Sequence, residues 1–253
     1  MSRADFHKDF KSPGPVVLPV IHALDTSRTL KNIDILIDAG APGCFLINHD
    51  FGVDPFLPII RDVRAARPRL WIGVNFLGVT GQAAFPLLAS LASTHCQVDA
   101  YWADDARIDE TDADQSEAEQ IAATRLLCGW RGLYFGGTAF KKQRPVDPER
   151  YTDAAREAAW FMDVVTTSGI ATGEEADDTK IRDFRAGLGD RPLALASGVT
   201  PDNAERYADV DAFLVATGIN HPGNFYDIDP ARLDALLAVT REIGKRGGGN
   251  GTR

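Results

Sequence analysis

The chain has 253 residues, 44 % of them apolar and 25 % charged, with 36 acidic against 27 basic side chains and a formal charge of −9. Such a chain can bury a substantial core, and its acidic balance argues against nucleic acid as a partner, because phosphate-backbone binders display basic surface. Cys44, Cys96 and Cys128 are odd in number, widely spaced and without a CxxC pair. That pattern argues against a zinc site and predicts a reducing cytoplasm as the protein's home.

The first 14 residues are polar, mixed in charge and lack the apolar stretch of a signal peptide, so they read as an N-terminal extension. From there short apolar runs recur at 16–21, 44–47, 70–74, 98–102, 133–135, 162–165, 192–196 and 212–216. None alternates strictly between apolar and polar, which suits strands buried on both faces. Helical patterns follow the runs at 29–39, 55–67, 84–92, 116–127, 148–159, 179–186, 201–208 and 230–243. No apolar run reaches membrane-spanning length, so no membrane partner is expected. Residues 244–253, rich in glycine and basic side chains, read as a flexible tail.

Eight strand–helix repeats imply parallel strands joined by helical crossovers, and the count of eight favours a closed (β/α)8 TIM barrel over an open sheet. No linker interrupts the array, so 15–243 is predicted to be one domain. No GxGxxG opens the first helix, which disfavours a dinucleotide-binding fold.

In such a barrel the residues just past each strand face the ligand. Here they are His22 and Asp25; Asn48, His49 and Asp50; Asn75; Asp104, Asp105 and Arg107; Thr138 and Lys141; Thr167 and Ser168; Ser197 and Gly198; Thr217 and Gly218. The sharpest signal is Ser197-Gly198-Val199-Thr200-Pro201-Asp202-Asn203, followed by Thr217-Gly218. Glycine after strands seven and eight admits a ligand close to the backbone, and Thr200 as N-cap with Pro201 as first helical residue would start a helix there. Ser197, Gly198, Thr217 and Gly218 are therefore expected to hold a phosphate-type anion. The plainer alternative is that both glycines only permit tight turns.

His22, His49, Asn75, Asp104 and Lys141 are the candidates for catalysis. Imidazole titrates near neutral pH and a carboxylate can orient it, giving general acid–base work. Metal ligation by His and carboxylate is the alternative, although only one histidine sits on the first strand. Asp104 and Asp105 offer hard oxygens for Mg²⁺, against the alternative of a solvated acidic loop. Lys141 and Lys142 would steer an anionic ligand or, if desolvated, serve as an amine nucleophile. Ser168-Gly169-Ile170-Ala171-Thr172-Gly173 reads as a loop able to close over ligand, with Asp177-Asp178 capping the next helix.

Taken in order, Val20-Ile21-His22, Asn48-His49-Asp50-Phe51-Gly52, Gly73-Val74-Asn75-Phe76-Leu77, Asp163-Val164-Val165-Thr166-Thr167-Ser168, Ser197-Gly198-Val199-Thr200-Pro201 and Asp211-Ala212-Phe213-Leu214-Val215 resemble the BtpA/SgcQ family of barrel proteins. The resemblance implies a barrel related to ribulose-phosphate-binding barrels. Family members are linked to photosystem I assembly and, by gene context, to sugar metabolism, without an agreed catalytic set. The fourth strand departs from the family by ending Tyr101-Trp102-Ala103-Asp104-Asp105.

These readings lead to an expected enzyme (transferase, isomerase or lyase) acting on a phosphorylated sugar or nucleotide-like metabolite. The alternatives are a non-catalytic BtpA-like assembly or binding factor, and phosphoribosyl transfer without the full signature of that fold. Homo-oligomers are common among barrels, but no interface is legible.

Overall fold

Each of the eight apolar runs becomes a strand, and the strands pair in parallel, in sequence order, into a closed barrel in which β8 returns to β1. The strands are β1 (Val16–His22), β2 (Gly43–Ile47), β3 (Trp71–Asn75), β4 (Ala100–Ala103), β5 (Leu133–Gly137), β6 (Val164–Thr167), β7 (Leu193–Ala196) and β8 (Ala212–Val215). The helices are α1 (Arg3–Phe10), α2 (Thr26–Asp38), α3 (Val53–Ala66), α4 (Gly81–Ser93), α5 (Ser116–Cys128), α6 (Tyr151–Ala158), α7 (Asp178–Leu188) and α8 (Pro230–Gly248). Residues 1–141, 143–171 and 173–248 are described by a computed structural model of the chain. No helix among them is long and apolar enough to cross a membrane.

The pleat sorts the strand residues into two cores. Leu18, Val20, Phe45, Ile47, Trp102, Phe135, Ala196 and Leu214 pack with one another inside the barrel. Their alternating neighbours, such as Val17, Leu46, Val74, Tyr101, Val165 and Phe213, pack on Ile33, Phe56, Leu88, Phe184 and Leu236 of the surrounding helices. Both faces of every strand are thus buried, which is why the runs carry no period-2 signal.

Three segments differ from expectation. The fourth and sixth strands begin two residues late, because Asp99 and Asp163 turn their carboxylates to the backbone. Each accepts a strand N–H, from Ile72 and Tyr134, and pairs with Arg64 and Arg125 respectively. The helix expected over 201–208 is a turn followed by a short 3-10 helix, Ala204–Tyr207. Asn203 explains the loss: its side chain takes the Thr200 N–H and donates to Gly198 O and Glu175, holding the chain in a local loop.

The N-terminal extension contains a capped helix, with Ser2 and Asp5 satisfying each other's backbone. Phe6 enters the barrel's closed end against Phe135, while Phe10 meets Trp71. Arg3, His7 and Arg185 then converge with the Leu193 N–H on the fully buried Asp211 carboxylate. At the other terminus α8 continues past Gly244 to Gly248, and the rest of the expected tail, 249–253, lies outside the described residues.

Candidate functional site

At the C-terminal ends of the strands lies a cavity of about 230 Å³ lined from β1, β2, β4, β7, β8 and the loops that follow them. One wall is Ser197-Gly198-Val199-Thr200 and Ala216-Thr217-Gly218. Gly198 has φ +72°, and a Cβ there would overlap the Glu174 carbonyl; at Gly218 it would overlap the carbonyl of Val199. Backbone packing, before any ligand, therefore demands both glycines, so the turn explanation weighed from the sequence holds at least in part. The N–H groups of Gly198, Val199, Thr217 and Gly218 meet no acceptor among the described residues. Four such groups on one concave wall make a cradle for an anion. Ser197 is held at φ +107°, a conformation costly for a residue with a side chain.

Arg232 completes this wall. It lies in the first turn of α8, its Nε donates to Gly218 O at 3.1 Å, and it forms no ion pair with a carboxylate among the described residues. Sequence reading missed it because the loop after β8, 216–229, is long. The usable signal was an arginine in the first turn of the helix that follows the glycine-bearing strand end.

The facing wall is built from His22, His49, Trp102, Asp104, Lys141 and Phe225. His22 ends β1 and is buried, and Phe225 lies over its ring at 3.8 Å. Burial, with His49 next in effect, lowers its pKa from 6.5 to about 4, so the imidazole is neutral at physiological pH. Its Nδ1 is buried without a hydrogen-bond partner among the described residues. His49 is exposed, its ring 5.8 Å from that of His22. Asn75 is fully buried and donates from Nδ2 to Asp104 Oδ1 at 2.9 Å, so the two act as one unit. Trp102 is 5 % exposed, and its Nε1 has no partner among the described residues.

The structure thus brings His22, His49, Asp104, Lys141, Ser197, Gly198, Thr217 and Gly218 around one cavity, with Asn75 behind Asp104. Asp105 does not join them. It accepts from the Arg107 N–H and from Gln143 Nε2, and pairs with the Arg107 guanidinium. Adjacent residues leaving a strand point to opposite sides, which separates the two carboxylates expected to share Mg²⁺. No group of three or more His, Cys, Asp or Glu among the described residues is placed to hold a metal ion.

Asp25 caps α2 by accepting the Arg28 N–H. Asn48 bridges Phe51 O and the Leu77 N–H. Asp177 caps α7 as expected. Lys142 and Thr172 lie outside the described residues.

Lys180, on α7, is a buried cation the sequence did not announce. Its Nζ donates to Ala139 O and Ser168 O, at 2.6 and 2.8 Å, and so ties the loop after β5 to the loop after β6. Burial lowers its pKa from 10.5 to about 8. Lys141 is held from the same junction, its N–H donating to Ser168 Oγ. The apolar periodicity of α7 hides this lysine, since its role depends on two carbonyls far away in sequence.

No protein-family model matches the chain, and no functionally curated protein matches it either. Solved structures do resemble it. Tryptophan synthase subunit alpha from Legionella pneumophila is 16 % identical, with a TM-score of 0.63, covering 97 % of this chain and 99 % of the other. A native KDPGal structure is 14 % identical, with a TM-score of 0.62 and coverage of 90 % and 96 %. Phosphoribosyl anthranilate isomerase from Thermus thermophilus is 15 % identical, with a TM-score of 0.60 and coverage of 90 % and 98 %. At such identities the likeness establishes the TIM-barrel fold and nothing finer.

Proposed function

We propose that the protein is an enzyme acting on a phosphorylated sugar or nucleotide-like metabolite, with the phosphate held by the loops after β7 and β8. The observation that carries the reading is the set of four N–H groups without acceptors, joined by Arg232, on one wall of the mouth. Such donors cost stability unless an anion or water meets them. The opposite wall supplies neutral His22 and the Asn75–Asp104 unit, groups able to move a proton on the rest of the ligand. Proteins of this fold named for phosphoribosyl anthranilate isomerase and thiamine phosphate pyrophosphorylase agree in general kind. Membership of the BtpA/SgcQ family belongs to the same proposal and rests on the order of motifs through the chain.

The test is thermal stability against phosphate, sugar phosphates, phosphoribosyl compounds and nucleotides, each with and without Mg²⁺. A ligand that binds only the folded chain raises the melting temperature, by about 2.7 kcal/mol of stability at a hundredfold excess over Kd. Arg232→Met is the informative variant, because a substitution at Gly198 or Gly218 would disturb the backbone itself. The expected outcome is a phosphate-dependent shift that falls at least tenfold in apparent affinity in Arg232→Met, with the unliganded melting temperature little changed. No shift with any phosphorylated compound would reject the reading.

One observation favours the alternative of a binding or assembly factor. Leu126, Leu127 and Trp160 are 78–87 % exposed, and Leu126 and Trp160 flank one groove with Trp130 and Phe161. Exposed apolar clusters of this kind mark contact surfaces.

A further inference from the structure

We infer that the barrel mouth takes a small sugar phosphate, recognised through its hydroxyl groups, rather than a nucleotide recognised through its base. The inference rests on the anion cradle proposed above and asks what lies at the other end of the ligand.

Two features of the mouth decide against a base. A nucleobase is bound by stacking on an open aromatic face, as single-strand binders do. Here the aromatic rings cover one another. Phe225 lies on His22 at 3.8 Å and meets His49 and Tyr226 edge to face. Trp102 is pinned between Phe45 and Phe140, with little of its surface open. The cavity is also small: about 230 Å³ lies below the usual range of roughly 300–1,000 Å³ for pockets that enclose drug-sized ligands.

What the mouth does offer is hydrogen bonding of both senses. Trp102 Nε1 can only donate, Ser197 Oγ can do either, and all three of Trp102 Nε1, Ser197 Oγ and His22 Nδ1 are buried without partners among the described residues. The three residues line the same cavity as the anion cradle. Buried polar atoms of this kind are rare in proteins and costly when left unmet. A chain of hydroxyl groups, each donor and acceptor at once, satisfies such a mixed set without the flat, stacked placement that a base edge requires. The apolar floor of Val20, Ile47, Ala196 and Leu214 suits the C–H faces of a sugar.

Calorimetric titration of the full chain with inorganic phosphate, a set of five- and six-carbon aldose and ketose phosphates, and adenosine monophosphate tests this. At least one sugar phosphate is expected to bind ten times or more tightly than phosphate. That gain should disappear in Trp102→Phe, which retains the ring's bulk in large part but removes the N–H, while phosphate affinity stays within about twofold. Should Trp102→Phe lose its fold, deoxy analogues of the best sugar phosphate titrated into the unaltered chain give the same readout: removing a recognised hydroxyl brings affinity back toward that of phosphate, and analogues that bind as tightly as the parent overturn the inference. Sugar phosphates no tighter than phosphate, or adenosine monophosphate tighter than every sugar phosphate, would overturn the inference and leave the anion cradle standing. Absence of Arg232-dependent phosphate binding would remove the proposed function and this inference with it.

Discussion

The two ends of the barrel treat buried polar groups in opposite ways. At the closed end Asp211 is fully buried yet met on both oxygens by Arg3, His7, Arg185 and the Leu193 N–H, with Arg185 Nε and Arg191 Nε left over among the described residues. Burial alone would raise its pKa, but the bonds from His7, the Leu193 N–H and Arg3 outweigh it, and the carboxyl stays below its ordinary value. At the open end His22 Nδ1, Asn75 Oδ1, Trp102 Nε1 and Ser197 Oγ lack partners among the described residues, and Ser197 is strained. A polar cluster that serves stability is satisfied within the chain; one that awaits a ligand is not.

The most severe way to break this contrast is Asp211→Ala. It leaves Arg185 without its carboxylate and removes the polar tie of Arg3 and His7 of α1 to the barrel, and we expect a loss of about 3–5 kcal/mol in denaturant unfolding. An effect under 1 kcal/mol would mean that the closed end does not depend on this carboxylate.

The open end should instead show its cost through pH. His22 has a folded pKa of about 4 against 6.5 unfolded, so between those values the unfolded chain binds more protons. Stability from this group is complete above pH 6.5 and is lost as pH falls toward 4, by up to about 3 kcal/mol at about 1.4 kcal/mol per unit. In His22→Phe the slope of stability against pH over that window should flatten, which urea titrations at stepped pH would measure.

Lys180→Met leaves the Ala139 and Ser168 carbonyls without their donor. We expect a loss of about 1–2 kcal/mol, and faster hydrogen exchange confined to the loops after β5 and β6. Unchanged exchange there would separate Lys180 from the shape of the mouth. Ser197→Gly is the mildest change. It relieves the positive φ and should raise stability by up to about 1 kcal/mol while weakening ligand binding. A gain in both would place the strain outside function.

Much of this was legible in the chain. The eight buried runs and their helical spacers specify a parallel barrel locally, and the strand-end rule picked out His22, Asp104, Ser197 and Gly218 as neighbours. It failed at Asp25 and Asn48, whose side chains complete backbone hydrogen bonding. It also failed at Asp105, which leaves β4 on the side away from the cavity. Arg232, Phe225 and Lys180 went unread, because each gains its role from a partner reached only through the barrel's closure.

The sequence by itself determined the strand count, the parallel order and the end of the barrel where polar residues gather, since these follow from burial and period along a single stretch of chain. Tertiary structure alone decided which buried acid is bound up at the closed end and which lines the cavity. Asp211 and Asp104 are both buried acids beside short apolar strands, and nothing local distinguishes them. The difference lies in what closure of the barrel carries to each: two arginines and a histidine from α1 and α7 to the first, and an amide from β3 to the second, which also lines the cavity.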